Sequence, residues 1–182
     1  MAGLCLAGAF VVQFGVPDVI GFIGGTSYVR DVEARLEQED ARGALAALDS
    51  ATLFDRDALE RLERTGAQGS LAGPLRRDAR LRIWIAQLAV SELGTLRSLT
   101  EEQGEWLDAA IGNAELAVDL DPASAKAQLV LGLLNLKRGE VANARIDFLL
   151  AVRHLGDALA RDPELSSARA ALRVAQRRAR AD

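Results

Sequence analysis

The chain has 182 residues, enough for one good-sized domain or a smaller one with an appended segment, and its 22 Lys and Arg against 26 Asp and Glu leave a net charge of −4. That balance excludes a chain-wide basic field, so no nucleic-acid partner is expected. A single cysteine, Cys5, and a single histidine, His154, exclude an internal disulfide and a His/Cys metal cluster, while abundant Ala and Leu with 4% aromatics and four prolines predict an all-α fold.

Residues 1 to 29 contain no Lys or Arg and one charge, Asp18, whereas the later chain is charged throughout. The glycine-punctuated stretch "VIGFIGGTSY" fails as a phosphate loop, because no Lys occurs before Lys126 and no G-x-G-x-x-G or strand-helix alternation frames it. Crossing the ~30 Å hydrocarbon layer as a helix takes about 20 apolar residues. Ala2 to Val16 is shorter than that, so a span must run on through Pro17 and Asp18 into "VIGFIGG". An aspartate near the bilayer centre costs ~2.5 to 3.5 kcal/mol on insertion scales, which the apolar run offsets. Residues 1–27 are therefore expected to be a membrane-embedded, transmembrane segment, with the lipid bilayer as a partner. The alternative is a soluble helical adaptor or chaperone whose first residues pack in its own core or a partner's groove. A cleaved signal lacks its basic start, and Leu4 stands where a lipidated Cys5 needs a small residue. Arg30, Arg35 and Arg42 follow the segment, so the positive-inside rule leans the helical domain toward the cytoplasm.

Residues 28–182 read as one helical domain. Its first part, 28–66, holds a helix with Val29, Val32 and Leu36 at helical spacing and Ser27 as cap, then "ARGALAALDSA", then a third helix in "FDRDALERLERTG". "GAQGSLAGP" predicts a loop over 67–74. Long helices are expected over 75–182, beginning with one over 75–99 that carries Leu81, Trp84, Ile85, Leu88 and Leu96 on its apolar side. Thr100 and Gln103 form a capping-box pattern ahead of "EEQGEWLDAAIGNAELAVDL".

"AVDLDPASAKAQLVL" and "ALARDPELSSARAAL" align on their Asp-Pro pairs, matching Ala117 to Ala158, Pro122 to Pro163, Ala127 to Ala168 and Leu131 to Leu172. Asp at a helix cap and Pro at the first helical position mark matched helix starts, and hence stacked antiparallel hairpins. "SAKAQLVLGLLNLKRGEVANARIDFLLAV" resembles a tetratricopeptide repeat: Leu131 and Gly132 in the first helix, Gly139 at the turn, then Ala144, Phe148 and Ala151 in the second. The resemblance spans about residues 104–172. Gln128 and Asn135 replace the usual aromatics, and Pro163 comes seven residues late, lengthening the second helix by about two turns. It implies a partner groove faced by Lys126, Leu129, Leu133 and Leu136, mainly apolar and so suited to an apolar or helical partner.

No constellation points to catalysis, and neither a cofactor nor a metal is expected. His154 reads as a solvated or capping histidine with Asp157 one turn on, and Trp84 and Trp106 read as core anchors. Glu101, Glu102 and Glu105 fit the positive end of a helix dipole. Arg169, Arg173, Arg177 and Arg180 line one face of the last helix, with Leu165, Ala168, Leu172, Ala175 and Ala179 on another. That face is either a solvated helix end or a contact for an anionic surface. The expected role is a non-catalytic, membrane-anchored protein-protein interaction scaffold, an accessory or assembly subunit whose partners are other, membrane-bound protein subunits.

Overall fold

The computed structural model describes residues 28–51, 64 and 68–180, and every regular element among them is a helix. The chain divides into two compact units, Met1–Thr65 and Gly66–Asp182. The membrane reading of residues 1–27, the Ser27 cap and the third helix, apart from Arg64, lie outside the described residues. Among the described residues, no helix is long and apolar enough to cross a membrane.

In the first unit, helix α1 covers 28–37 and α2 covers Ala41–Ser50. Val29, Val32 and Leu36 are buried at the predicted spacing, as are Ala44, Leu45 and Leu48 on α2. Asp40 caps α2 by accepting from the Gly43 N–H at 2.9 Å, and its other oxygen receives Arg35 at 3.4 Å. The cap thus also ties the end of α1 to the start of α2.

The second unit contains α3 (Gln68–Leu93), α4 (Glu101–Leu120), α5 (Ala125–Ala142), α6 (Arg145–Arg161) and α7 (Ser166–Ala179). Each packs against the next in sequence, and α5 also touches α3 and α7. The odd-numbered helices therefore form one layer with α5 at its centre, and α4 and α6 lie behind it.

Four local expectations change. The predicted loop over 67–74 is helical from Gln68, with Pro74 inside the helix. Gly and Pro disfavour a helix interior by about 1 and 3 kcal/mol relative to Ala. Leu75, Ala79, Leu81, Ile85, Ala86, Ala89 and Leu93 are all buried along this same helix, and that packing outweighs the local preference. At its other end α3 stops at Leu93 rather than near residue 99, where Gly94 donates back to the Val90 carbonyl at 2.9 Å.

The Asp-Pro pairs end helices instead of starting them. Asp121 and Asp162 are the C-caps of α4 and α6, both at φ −139° with ψ of 79° and 93°. A following proline pushes its predecessor out of the α region, so each aspartate breaks the helix it closes. Ser124 then caps α5, accepting from the Ala127 N–H at 3.2 Å, whereas α7 begins at Leu165 with no side-chain cap. Likewise Gly139 is not at the turn but inside α5; the turn falls at Asn143, whose φ of 49° is left-handed. A Cβ at Gly139 would lie 2.8 Å from the Phe148 ring, so the missing side chain lets α6 approach.

The capping box forms as the pattern predicts. The Gln103 N–H donates to Thr100 Oγ1 at 3.3 Å, and the Thr100 N–H donates to Gln103 Oε1 at 3.0 Å. Thr100→Ala should cost about 1 kcal/mol, read as a fall in the urea midpoint. An unchanged midpoint would show that this cap contributes nothing to the unit.

Candidate functional site

The odd-numbered layer carries an open cleft of about 250 Å³. Val90, Leu93 and Gly94 come from the end of α3, Leu133, Leu134, Leu136, Lys137 and Glu140 from α5, and Val174 from α7. Leu133, Leu136, Lys137 and Glu140 are spaced as one face of a helix, which fixes their common direction. The volume falls just below the ~300 to 1,000 Å³ of small-molecule sites, and the lining is mostly aliphatic. Such a cleft suits an apolar side chain of a partner better than a polar cofactor.

Lys137 is only 7% exposed and donates from Nζ to the Leu96 carbonyl, just past the end of α3. A cation here meets the partial negative charge of a helix C-terminus. Glu140 remains exposed at the edge. Of the predicted groove residues, Leu133 and Leu136 line the cleft. Leu129 is half-buried against the core shared by α6 and α7, and Lys126 is exposed on the first turn of α5, away from the lining. Lys137 and Glu140 continue the same helical face and were legible from spacing; Val90, Leu93, Gly94 and Val174 arrive through long-range packing.

Polar networks fix the walls. Arg82 on α3 is buried, with Nε on Asp78 at 3.1 Å and Nη1 on Asn113 Oδ1 at 3.0 Å, and Asn113 Nδ2 returns to the Arg82 carbonyl at 2.8 Å. This clamps α3 to α4. On α5, Asn135 donates to the Leu131 carbonyl at 2.9 Å and accepts from Arg138 at 3.3 Å. Arg138 in turn holds Asp147 of α6 at 2.8 Å. Asn135, where the resemblance implies an aromatic, is thus a buried polar group with its hydrogen bonds satisfied.

His154 departs from its expected solvated role. It is buried, with Nδ1 2.8 Å from Gln128 Oε1 and Nε2 3.2 Å from Arg153 Nη2. An amide oxygen and a guanidinium partner together require the neutral ring with its proton on Nδ1. Burial, and then the Arg153 charge, push its pKa below 6.5, against the opposing pull of Asp157 and Glu115. A depressed base gives stability that is complete above 6.5 and lost as pH falls from there through the folded value. Urea midpoints should therefore drop on acidification, and His154→Gln should flatten that slope; an equally steep slope in the variant would assign the loss to other groups.

The tryptophans differ from each other. Trp106 is buried and donates to Glu92 at 3.0 Å, but Trp84 is 39% exposed. Arg82, Ile85, Ala86, Ala89 and Leu93 define the inner face of α3, and Trp84 falls outside it. On α7 the division is as predicted: Ala168, Ala175 and Ala179 are buried and Leu165 and Leu172 half-buried, whereas Arg169, Arg173, Arg177 and Arg180 are exposed. Arg169 donates to the Pro163 carbonyl. Glu101, Glu102 and Glu105 are exposed on the first turns of α4. Among the described residues, no group of three His, Cys, Asp or Glu side chains is placed to hold a metal ion. No protein-family model and no curated protein matches the chain.

Proposed function

We propose that the protein is a non-catalytic interaction scaffold of tetratricopeptide-like hairpins, held at a membrane by residues 1–27, which binds another protein subunit through the cleft between α3, α5 and α7. The observation that carries this reading is the convergence of aliphatic side chains from three helices on one open cleft. Also in favour are the close approaches at Gly132 and Gly139, which draw α5 and α6 into a tight hairpin. The membrane part rests on the uncharged N-terminal sequence, and the cytoplasmic placement of the helices on Arg30, Arg35 and Arg42. The partner is expected to insert a large aliphatic or aromatic side chain, because the lining offers few polar groups to pair. Neither a cofactor nor a nucleic acid is part of this role.

Leu133→Glu tests the reading, since it places a carboxylate in the cleft from a half-buried position. In mild-detergent purification from the native cell, a chain that co-purifies with the wild type should be reduced at least about tenfold by a carboxylate that binding would desolvate. Circular dichroism should show unchanged helix content. Identical co-purifying chains in both preparations would exclude the cleft as the binding surface.

A further inference from the structure

The two layers of the Gly66–Asp182 unit differ in charge. Helices α3, α5 and α7 carry four, three and four Lys or Arg residues and three carboxylates in all, whereas α4 behind them carries six carboxylates and no Lys or Arg. Two of the three carboxylates in the odd-numbered layer are engaged away from the cleft. Asp78 is buried on Arg82, and Glu92 accepts from Trp106 of α4. The third, Glu140, stands at the cleft edge.

Two arginines of α7 stand at the same cleft. Val174 lines it, and Arg177 and Arg178 follow by three and four residues, the spacing that stacks side chains on one helical face. Helical side chains lean toward the N-terminus, which sets both arginines at the rim beside Val174. Both are exposed, and neither has a hydrogen-bond or ion-pair partner among the described residues. On α5 the cleft-lining Lys137 has an uncharged acceptor, the Leu96 carbonyl, and makes no ion pair with Glu140 three residues on. The aliphatic floor is therefore edged by three cations and one carboxylate, on a chain whose net charge is −4.

We infer that the partner segment seated in this cleft is acidic and amphipathic, with an apolar anchor in the cleft and Asp or Glu about one helical turn from it, paired with Arg177 and Arg178. The inference rests on the partner-binding reading of the cleft and adds the sign and spacing of the partner's charges. On a helical partner that spacing is three or four residues, ~5 to 6 Å. A neutral apolar segment would cover the rim arginines without pairing them, and a basic one would be repelled, so the same cations select against both.

The test uses the full chain in the native cell, with a photoreactive side chain at Leu133 and the crosslinked residue of the partner located by mass spectrometry. The adduct should map to a segment with Asp or Glu three or four positions from its apolar anchor. Arg177→Glu with Arg178→Glu should lower the adduct yield about tenfold or more, because two like charges then face the partner's carboxylates. Arg177→Lys with Arg178→Lys should keep most of it. Both positions are exposed, so circular dichroism should be the same for all three proteins. An adduct on a segment without carboxylates at that spacing, or a yield that is the same in both double variants, would overturn the inference while leaving the cleft as the binding surface. Failure to form any protein adduct from position 133 with both arginines in place would overturn the cleft reading and this inference with it.

Discussion

Replacing Asp78 by alanine should lower the stability of the Gly66–Asp182 unit by about 3 to 5 kcal/mol, the cost of taking one member from a buried ion pair. Arg82 is 2% exposed, and its Nε sits 3.1 Å from the Asp78 carboxylate. Without that carboxylate the guanidinium loses its contact at 3.1 Å while the bond to Asn113 Oδ1 at 3.0 Å stays. The double change Asp78→Leu with Arg82→Met should be far milder, within about 1 to 2 kcal/mol of the wild type, because removing both charges also removes their desolvation cost. Asn113 can still donate to the backbone carbonyl of residue 82, as it does now at 2.8 Å. Urea unfolding of the three proteins reads this directly. A double variant as unstable as Asp78→Ala would mean that the ion pair itself, rather than the cost of a buried guanidinium deprived of this carboxylate, holds α3 on α4.

Gly132→Ala should destabilise by about 1 to 3 kcal/mol even though alanine is the better helix former by about 1 kcal/mol. An added Cβ would lie 2.7 Å from Leu155 Cγ and 3.2 Å from the Leu155 backbone nitrogen. The leucine side chain can move, but the backbone nitrogen belongs to α6 and moves only with the helix. Gly112→Ala provides the opposite sign: its Cβ meets nothing within 4 Å, so the variant should gain up to about 1 kcal/mol. If both substitutions stabilise, α5 and α6 are farther apart than their close contact implies.

Helix content and the inner alanines were legible because both follow local rules. Ala117, Ala127, Ala158 and Ala168 all have relative exposures of 1% or less, as the aligned Asp-Pro segments require. The capping box was equally readable, since Thr100 and Gln103 need only their own spacing. The misreadings share a cause. Asp121 and Asp162 look like N-caps until the conformational effect of the following proline is applied to the residue before it. Residues 67–74 look like a loop until the buried face of α3 beyond them is known. Trp84, expected in the core, lies outside the inner face that Arg82 occupies, because residues two apart lie about 200° apart around a helix and hydrophobicity alone does not say which faces the core.

The candidate cleft was half visible. Leu133 and Leu136 share a helical face that any periodicity argument finds, and Lys137 and Glu140 extend it. Val90 and Val174 lie far from them in sequence, and only the packing of α5 between α3 and α7 brings them together. His154 offered a weaker signal still. Its partner Gln128 occupies a position where the repeat resemblance expects an aromatic, and a polar residue at a core position calls for a polar neighbour.

The most direct test of the scaffold role is photo-crosslinking inside the native cell, with a photoreactive side chain placed singly at Leu133, at Val174 and at the exposed position Gln87. A partner seated in the cleft predicts the same discrete adduct from positions 133 and 174, little or none from position 87, and loss of the adduct when Val90→Glu, at a half-buried position of the lining, is added. Adducts that are indistinguishable among the three positions, or absent from both cleft positions while position 87 reacts, would contradict a partner-binding cleft between α3, α5 and α7.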